Sequence, residues 1–391
     1  MGARNHSGLL VLTAVSLVSA ALGSIHAFSV FLQPLETAFG ASRALASLTY
    51  SFALVFLTAA VLFGPLIYGR LKPTAIFLLV TIGGVAGAII AASATTLLVI
   101  WIGYSLIFGA ANGLGYGFGL QFAARANPGN AGFSMGIVTA AYAFGATIAP
   151  YGFEVALSVG GFRMAMLALA GVLCAVGILA IFLVKRSRAE YGTERAATPS
   201  TRTAFVPVVK LWLAYGCAVA AGLMAIGHAA GIAASAGFGG WIAPAVLAFC
   251  GFVGSLLFGW LIDRVGWRVV LSFLPIMSAA ALVALIALPG LTIEFLGAVG
   301  FAYGAAIAVY PAVISKMFPG DDGPLVYGRV FTAWGCAGLF APWIAGRFYD
   351  VTGHYEAALW TAAVLALVSL LTVQTLQSPQ SEKAPSSQKS S

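Results

Sequence analysis

The sequence predicts an all-α membrane protein with 12 transmembrane helices in two pseudo-symmetric six-helix bundles. Three observations lead to this fold class. Of the 391 residues, 61% are hydrophobic and 8% are charged, whereas soluble domains average roughly 45–50% apolar and about 25% charged residues. The apolar residues form twelve long runs, and the second half of the chain repeats features of the first.

The twelve apolar runs are long enough to cross a bilayer as helices, which takes roughly 20 apolar residues. A helix satisfies its own backbone hydrogen bonds in lipid, and the runs lack the period-2 alternation of barrel strands. The predicted spans are about 9–33, 45–67, 74–94, 97–121, 131–155, 163–184, 208–232, 241–262, 267–288, 291–315, 326–348 and 356–377.

The cations between the spans predict the orientation. A net charge of +8 on a soluble protein would suggest a nucleic-acid partner, but here the cations lie in short gaps between apolar runs. Sixteen of the 19 Lys and Arg residues share a side with the N-terminus, and the exceptions are Arg43, Arg163 and Arg347. Since cytoplasmic loops are rich in Lys and Arg, we predict a multi-pass protein of the cell inner membrane with both termini cytoplasmic.

The longest polar stretch between spans is KRSRAEYGTERAATPSTRTAF, which is basic and has no hydrophobic period. Such composition is typical of a linker, and it divides the chain into two sets of six spans. The predicted division is an N-terminal bundle at 1–184, a cytoplasmic linker at 185–207, a C-terminal bundle at 208–377 and a disordered cytoplasmic tail at 378–391.

An internal repeat supports this division. GPLIYGRLK begins at Gly64 and GWLIDRVGWR at Gly259, an offset of 195, and both follow the second span of their half. The Ala-Pro pair that begins at Ala149 in the fifth span recurs at Ala341, an offset of 192. We therefore predict two related bundles packed about an axis normal to the membrane, an arrangement that supports alternating access.

Twelve spans, a basic loop between the sixth and seventh, and G-x-L-x-D-R-x-G-x-R after the eighth together resemble the major facilitator superfamily, over residues 5 to about 378. Within it, AFSVFLQPLETAFGASRALASL (27–48) and YGRVFTAWGCAGLFAPWIAGRFYDVTGHY (327–355) look similar to the oxalate/formate antiporter and monocarboxylate porter branch. The resemblance implies a secondary active transporter that moves a small organic solute by alternating access.

The loop GWLIDRVGWR supplies the predicted gating residues. They are Gly259, Asp263, Arg264, Gly266 and Arg268. The resemblance implies that Asp263 latches the eighth helix to the start of the fifth, near Asn130, and a carboxylate at a helix N-terminus gains about 0.3–1 kcal/mol. An inner-face anchor would explain the two arginines but not the acid beside them. Upstream, Tyr68 stands in place of the acid, so we expect that gate contact to rely on packing, with Tyr68 near Arg329.

Polar and aromatic side chains at mid-membrane depth are the candidates for a substrate cavity, because such groups are costly in lipid and are usually functional. They are His26, Asn112, Tyr116, Tyr142, His228, Tyr303, Tyr310 and Trp334. A buried His or Tyr can equally serve a helix–helix contact, so both readings stay open. The resemblance places the first and seventh helices, and with them the two histidines, at the cavity.

The predicted spans carry no charge near their middles, and this bears on the substrate. An unpaired dianion is too costly to bury without cationic partners, and the basic residues that oxalate transporters of the branch carry in helices 8 and 11 are missing here. We therefore predict a monocarboxylate or a related metabolite. Proton coupling would use His26 or His228, whereas exchange against a counter-substrate, or uniport, needs no relay.

The fifth span offers an alternative within the same superfamily. Its Gly136, Gly145 and Ala149-Pro150 partly resemble an antiporter motif, which favours drug or metabolite efflux, although helix packing explains small residues equally well. A membrane-embedded enzyme or a sensor is less favoured, since GFSMG at 132–136 lacks the strand, His and acid of a hydrolase. We predict no catalytic residue, metal or cofactor, and a monomer in the bilayer.

Overall fold

A computed structural model of the protein describes residues 2–127, 131–191, 205–318 and 322–376. Within them, ten helices are long and apolar enough to cross a membrane. One of the ten, Phe133–Ser187, is broken at Gly160 and Gly161. A further long helix, Asp322–Thr352, packs among the others. Division of the broken helix and inclusion of the further one give twelve helices, which confirms the predicted all-α membrane class.

We number the helices in chain order. The N-terminal half holds α1 (Gly2–Gly23), α2 (Arg43–Phe63), α3 (Pro73–Ala92), α4 (Gly109–Ala126), α5 (residues 131–159) and α6 (residues 162–187). The C-terminal half holds α7 (Phe205–Ser235), α8 (Ile242–Val265), α9 (Trp267–Ala287), α10 (Thr292–Met317), α11 (Asp322–Thr352) and α12 (Glu356–Gln374). The segment 192–204 in the predicted linker and the tail 377–391 lie outside the described residues.

Three spans, the first, fifth and sixth, differ in form from what the sequence predicts. The first continues beyond α1 as a 3-10 segment, Ser24–Phe31, and a short helix, Leu32–Phe39, instead of ending at residue 33. The fifth and sixth are joined by a kink with no loop between them. Gly161 has φ +63 there, a left-handed conformation that glycine adopts without steric cost. Hydropathy alone cannot show such a kink, because both sides of it are apolar.

Small residues set the closest helix contacts. Gly109 and Gly113 of α4 face the backbone of α2 at Ala53 and Leu57, and a Cβ added to Gly109 would lie 2.7 Å from the Ala53 carbonyl oxygen. These two glycines are four residues apart on one face of α4, and this face packs against α2. The two halves meet mainly through α2 against α11 and α5 against α8, with α7 against the 3-10 segment.

Both described chain ends lie on one face, which we call the terminal face. Ser7 Oγ donates to the Ser187 carbonyl at 2.8 Å, and Lys210 Nζ donates to the Thr375 carbonyl at 2.9 Å. The opposite face, where Gly40 ends the helix that follows the 3-10 segment, is the distal face.

Candidate substrate cavity and distal gate

A cavity of about 200 Å³ lies between the two halves and is lined by helices of both. Five of the eight predicted cavity residues line it, namely His26, Tyr116, Tyr142, Tyr303 and Trp334. The other three, Asn112, His228 and Tyr310, do not. The described lining residues include no Asp, Glu, Lys or Arg, so the cavity walls are aromatic and apolar with a few neutral polar groups.

His26 stands on the 3-10 segment that continues α1. Its Nδ1 is 2.6 Å from the Tyr50 hydroxyl of α2. The imidazole meets the Tyr142 ring edge-on at 5.6 Å and the Trp334 ring edge-on at 6.5 Å between centroids. His26 therefore lies where aromatic groups from the two halves approach each other.

Asn112 lies behind the cavity wall and joins three helices. It is fully buried, its Nδ2 donates to the Leu22 carbonyl of α1 at 2.6 Å, and the Tyr142 hydroxyl donates to its Oδ1 at 3.0 Å. Tyr142 packs on Tyr116, whose ring centroid is 4.7 Å away. Asn112 thus orients a cavity residue instead of lining the cavity itself, which corrects its predicted place.

The C-terminal wall is an aromatic row on α11. Trp334 stacks on Phe331 with an interplanar angle of 6° at 5.6 Å, and Tyr327 lies 5.7 Å from Phe331. Trp334 Nε1 donates to the Tyr303 hydroxyl of α10 at 2.9 Å. The Tyr303 oxygen accepts this bond, so its proton is available to a ligand.

Sequence reasoning missed Tyr327 and Phe331 because it considered mid-span positions only. A signal was present, since Tyr327, Phe331 and Trp334 are spaced by four and three residues and therefore share one helix face. Thr139 and Ser255 also line the cavity. These residues extend it from the depth of His26 toward the terminal face.

Two predicted cavity residues face other helices. Tyr310 is buried against the Tyr215 ring of α7, with centroids 4.7 Å apart. His228 is fully buried, and its Nε2 lies 2.8 Å from the Pro342 carbonyl of α11 and 3.2 Å from Ser47 Oγ of α2. His228 thus belongs to the contact between the halves on the distal side of the cavity, and neither residue lines the cavity as predicted.

A carboxylate from one half caps a helix of the other at the distal face. Asp350, near the end of α11, accepts hydrogen bonds from the backbone nitrogens of Arg43 at 2.7 Å and Ala44 at 3.0 Å. Both nitrogens are in the first turn of α2, where helical N–H groups lack partners and the helix dipole favours negative charge. This contact holds α2 and α11 together.

The side chain of Arg43 completes this contact. Its guanidinium pairs with Glu36 of the same half and donates to the Tyr355 hydroxyl of the other. It also lies 4.4 Å above the Tyr349 ring, and only 8% of the residue is exposed. Burial raises the pKa of the Tyr355 hydroxyl, which therefore stays neutral beside the arginine. We call Glu36, Arg43, Tyr349, Asp350 and Tyr355 the distal gate.

The loop after α8 forms a tight turn at the terminal face. Gly266 has φ +92 there. The Arg264 guanidinium lies 3.7 Å above the Trp260 ring, and Arg268 donates to the Leu376 carbonyl at 3.1 Å. The arginines therefore anchor the turn to its own helix and to the end of α12.

The proposed partners of the Asp263 latch lie outside what the structure describes. Neither the Asp263 side chain nor Asn130 is among the described residues, so the latch stays a prediction. A Cβ added to Gly259 would meet no atom within 4 Å. Tyr68, which the sequence places near Arg329, packs within the N-terminal half against Phe118 at 5.2 Å instead.

Two six-helix halves that enclose a central cavity and close on one face have the architecture of an alternating-access membrane transporter. The family model described as Major Facilitator Superfamily matches residues 12–299 and 213–390. The chain belongs to the Major Facilitator Superfamily and is a transporter, not an enzyme. No curated protein matches the sequence.

Solved structures share this fold at low sequence identity. A D-xylose-proton symporter is 13% identical with a TM-score of 0.72, covering 94% of this chain and 97% of its own. The xylose transporter XylE from E. coli, in a partially occluded inward open conformation, is 13% identical with a TM-score of 0.70. The match covers 94% of this chain and 98% of that one. A bacterial homolog to the human lysosomal transporter Spinster, in an inward-facing and occupied conformation, is 16% identical with a TM-score of 0.67. The match covers 94% of this chain and 94% of that one. At these identities the likeness concerns the fold alone.

Proposed function

We propose that this transporter moves a small monocarboxylate or a related metabolite by alternating access. The observation that carries the proposal is the composition of the cavity, whose described lining offers neutral hydrogen-bond donors and aromatic faces without charge. Neutral donors can hold a monoanion or a polar neutral solute. A dianion buried in the same place would lack the cations that offset its desolvation.

Each half contributes one of these donors. His26 belongs to the N-terminal half and Tyr303 to the C-terminal half, and the Trp334 indole lies between them, edge-on to His26 and bonded to Tyr303. A carboxylate that accepts from both donors would join the two halves through the solute. A solute bound differently in open and closed states shifts the equilibrium between them, which is what alternating access needs.

The excess of Lys and Arg on the terminal face supports a cell inner-membrane protein with cytoplasmic termini and with two bundles joined by the basic linker. In that orientation the cavity lies on the cytoplasmic side of a closed distal gate, as in an inward-facing conformation. We infer a monomer. We also infer exchange against a counter-substrate, which needs no proton relay; of the two candidate proton carriers, His228 is sealed between the halves and only His26 lines the cavity.

The efflux alternative rests on the small residues of α5. Helix packing explains why one of them, Gly145, must be small. Gly145 faces the backbone of α1 at Ala20, where a Cβ would overlap the carbonyl oxygen. A Cβ at Gly136 would meet no neighbour within 4 Å. No contact in the described cavity favours efflux over monocarboxylate transport.

The test is uptake of radiolabelled lactate, pyruvate and oxalate into proteoliposomes that contain the full-length protein. We expect lactate or pyruvate to enter faster than oxalate. Tyr303→Phe should weaken transport of the monocarboxylate by roughly tenfold or more, since a hydrogen bond to a charged group contributes about 1.5–3 kcal/mol.

Tyr310→Phe is the matched control for this test. It removes the same atom from the same helix, but Tyr310 packs against Tyr215 and does not line the cavity. Its transport rate should stay near that of the wild type. Robust oxalate exchange, or equal losses in the two variants, would contradict the proposed substrate class.

A further inference from the structure

Among the described residues, only Tyr50 of α2 forms a hydrogen bond with the imidazole of His26. Its hydroxyl lies 2.6 Å from His26 Nδ1. The Tyr50 ring is 1% exposed and stacks on Phe28 at 5.5 Å with an interplanar angle of 5°. On another side it faces Gly227 of α7. A side chain held on these sides cannot turn its hydroxyl toward water.

The direction of this hydrogen bond follows from the partners available. A buried hydroxyl is stabilised when its proton has an acceptor, and within the described residues His26 Nδ1 is the acceptor that Tyr50 has. The reverse bond, from Nδ1–H to the Tyr50 oxygen, would leave the tyrosine proton without one. Tyr50 therefore donates, and a neutral imidazole that accepts at Nδ1 carries its proton on Nε2.

The protonated nitrogen is open to the cavity. His26 lines the cavity, and Nε2 has no hydrogen-bond partner among the described residues. Nδ1 of His228 is buried and has no partner, whereas Nε2 of His26 is not among the buried atoms of this kind. Nε2–H is thus a donor without a protein acceptor, aimed at the space that a solute would occupy.

We propose that Tyr50 is a positioning residue that fixes His26 as the Nε2–H tautomer, so that this end of the cavity selects solutes that present a hydrogen-bond acceptor. Carboxylate and carbonyl oxygens meet this requirement, whereas an ammonium group does not. The choice of lactate as a probe rests on the proposed function, but the tautomer of the empty protein does not.

The experiment is nitrogen NMR of the full-length protein with ¹⁵N-labelled histidine in lipid bilayers. The chain has four histidines, and His26→Gln identifies the His26 signals by their loss. In the empty protein we expect a protonated Nε2 and an unprotonated, hydrogen-bonded Nδ1. In Tyr50→Phe the Nδ1 signal should move to the position of an unbonded nitrogen, and the Kd for lactate should rise about two- to tenfold.

Tyr104→Phe is the matched control. Tyr104 is equally buried and packs against the same Phe28 ring, but its hydroxyl has no partner among the described residues. Its loss should leave both His26 signals in place. If Tyr50→Phe does not fold, the wild-type spectrum alone still decides the tautomer.

A proton on Nδ1, a doubly protonated ring, or an Nδ1 signal that Tyr50→Phe leaves unchanged would overturn the proposal. Failure of lactate to bind the wild type has a different meaning. Combined with the expected nitrogen signals, it would exclude lactate as the solute and still support the role of Tyr50.

Discussion

Individual polar residues in this bundle act in two layers around the cavity. His26, Tyr142 and Tyr303 lie at the cavity surface, while Asn112 and Tyr50 hold two of them from behind. Side chains in the outer layer fix rotamer and tautomer, which a binding site needs from its supporting residues. Changes in the two layers should therefore have different effects.

Asn112→Leu should lower the free energy of unfolding by about 1–2 kcal/mol, the value that model peptides give for side-chain hydrogen bonds in membranes. The substitution nearly keeps the shape but leaves the Leu22 carbonyl and the Tyr142 hydroxyl without their partner. Thermal unfolding in detergent would measure it. Tyr142→Phe removes one of these bonds and should cost less, so equal losses in the two variants would contradict the bridging role of Asn112.

At the scale of the helices, the glycines of α5 separate packing from a functional motif. Gly145→Ala should destabilise the protein by about 1–3 kcal/mol, because overpacking forces backbone shifts and the added methyl would meet the α1 backbone at Ala20. Gly136→Ala has open space around it and should stay within about 0.5 kcal/mol of the wild type. Thermal unfolding of both variants would check this difference.

Transport by the same two variants tests the alternative. If the α5 residues formed an antiporter motif, Gly136→Ala would lose transport while its stability stayed that of the wild type. We expect its transport to be retained.

The sequence predicts the helices well because a helix in lipid requires a long run of apolar residues. It predicts less well which neighbour each side chain faces. Tyr303 and Tyr310 are seven residues apart and share a face of α10, yet Tyr215 of α7 covers the second. Which neighbour covers a position depends on tertiary packing that helical periodicity does not contain.

The two histidines show the same limit. The resemblance places both His26 and His228 at the cavity, but the chain turns to 3-10 geometry at His26, whereas α7 remains α-helical through His228. The same residue type then faces the cavity in one half and the contact between the halves in the other. The backbone at the two histidines therefore differs, and the sequence pattern alone does not show this difference.

At the scale of the whole molecule, the distal gate contains the kind of interaction that the sequence predicts for the terminal face, a carboxylate at a helix N-terminus. The loop motif predicts a carboxylate at a helix N-terminus, Asp263 with α5, and the structure shows such a contact between Asp350 and α2. Sequence reasoning missed Asp350 because it ends a span and resembles an ordinary outer-loop residue. Since its partners lie in the other half, this contact must break when the distal face opens.

Asp350→Asn should therefore shift the protein toward a conformation open at the distal face. The variant keeps one acceptor but loses the charge at the α2 N-terminus, which we expect to cost about 1–2 kcal/mol, or roughly a fivefold to thirtyfold change in the ratio of states. Spin labels at Thr37 and Thr352, exposed distal positions on opposite halves, would report it in a cysteine-free background by double electron–electron resonance. A longer-distance population should grow.

Glu356→Gln is the control for this experiment, since it removes an equal charge from the exposed first turn of α12 without touching the α2 N-terminus. Its distance distribution should match that of the parent. If both variants shift alike, net charge at the distal face, and not the cap on α2, controls closure. If neither shifts, the packing of α2 against α11 is sufficient to keep the distal face closed. This packing includes Leu54 against Gly338 and Ala44 against Gly346.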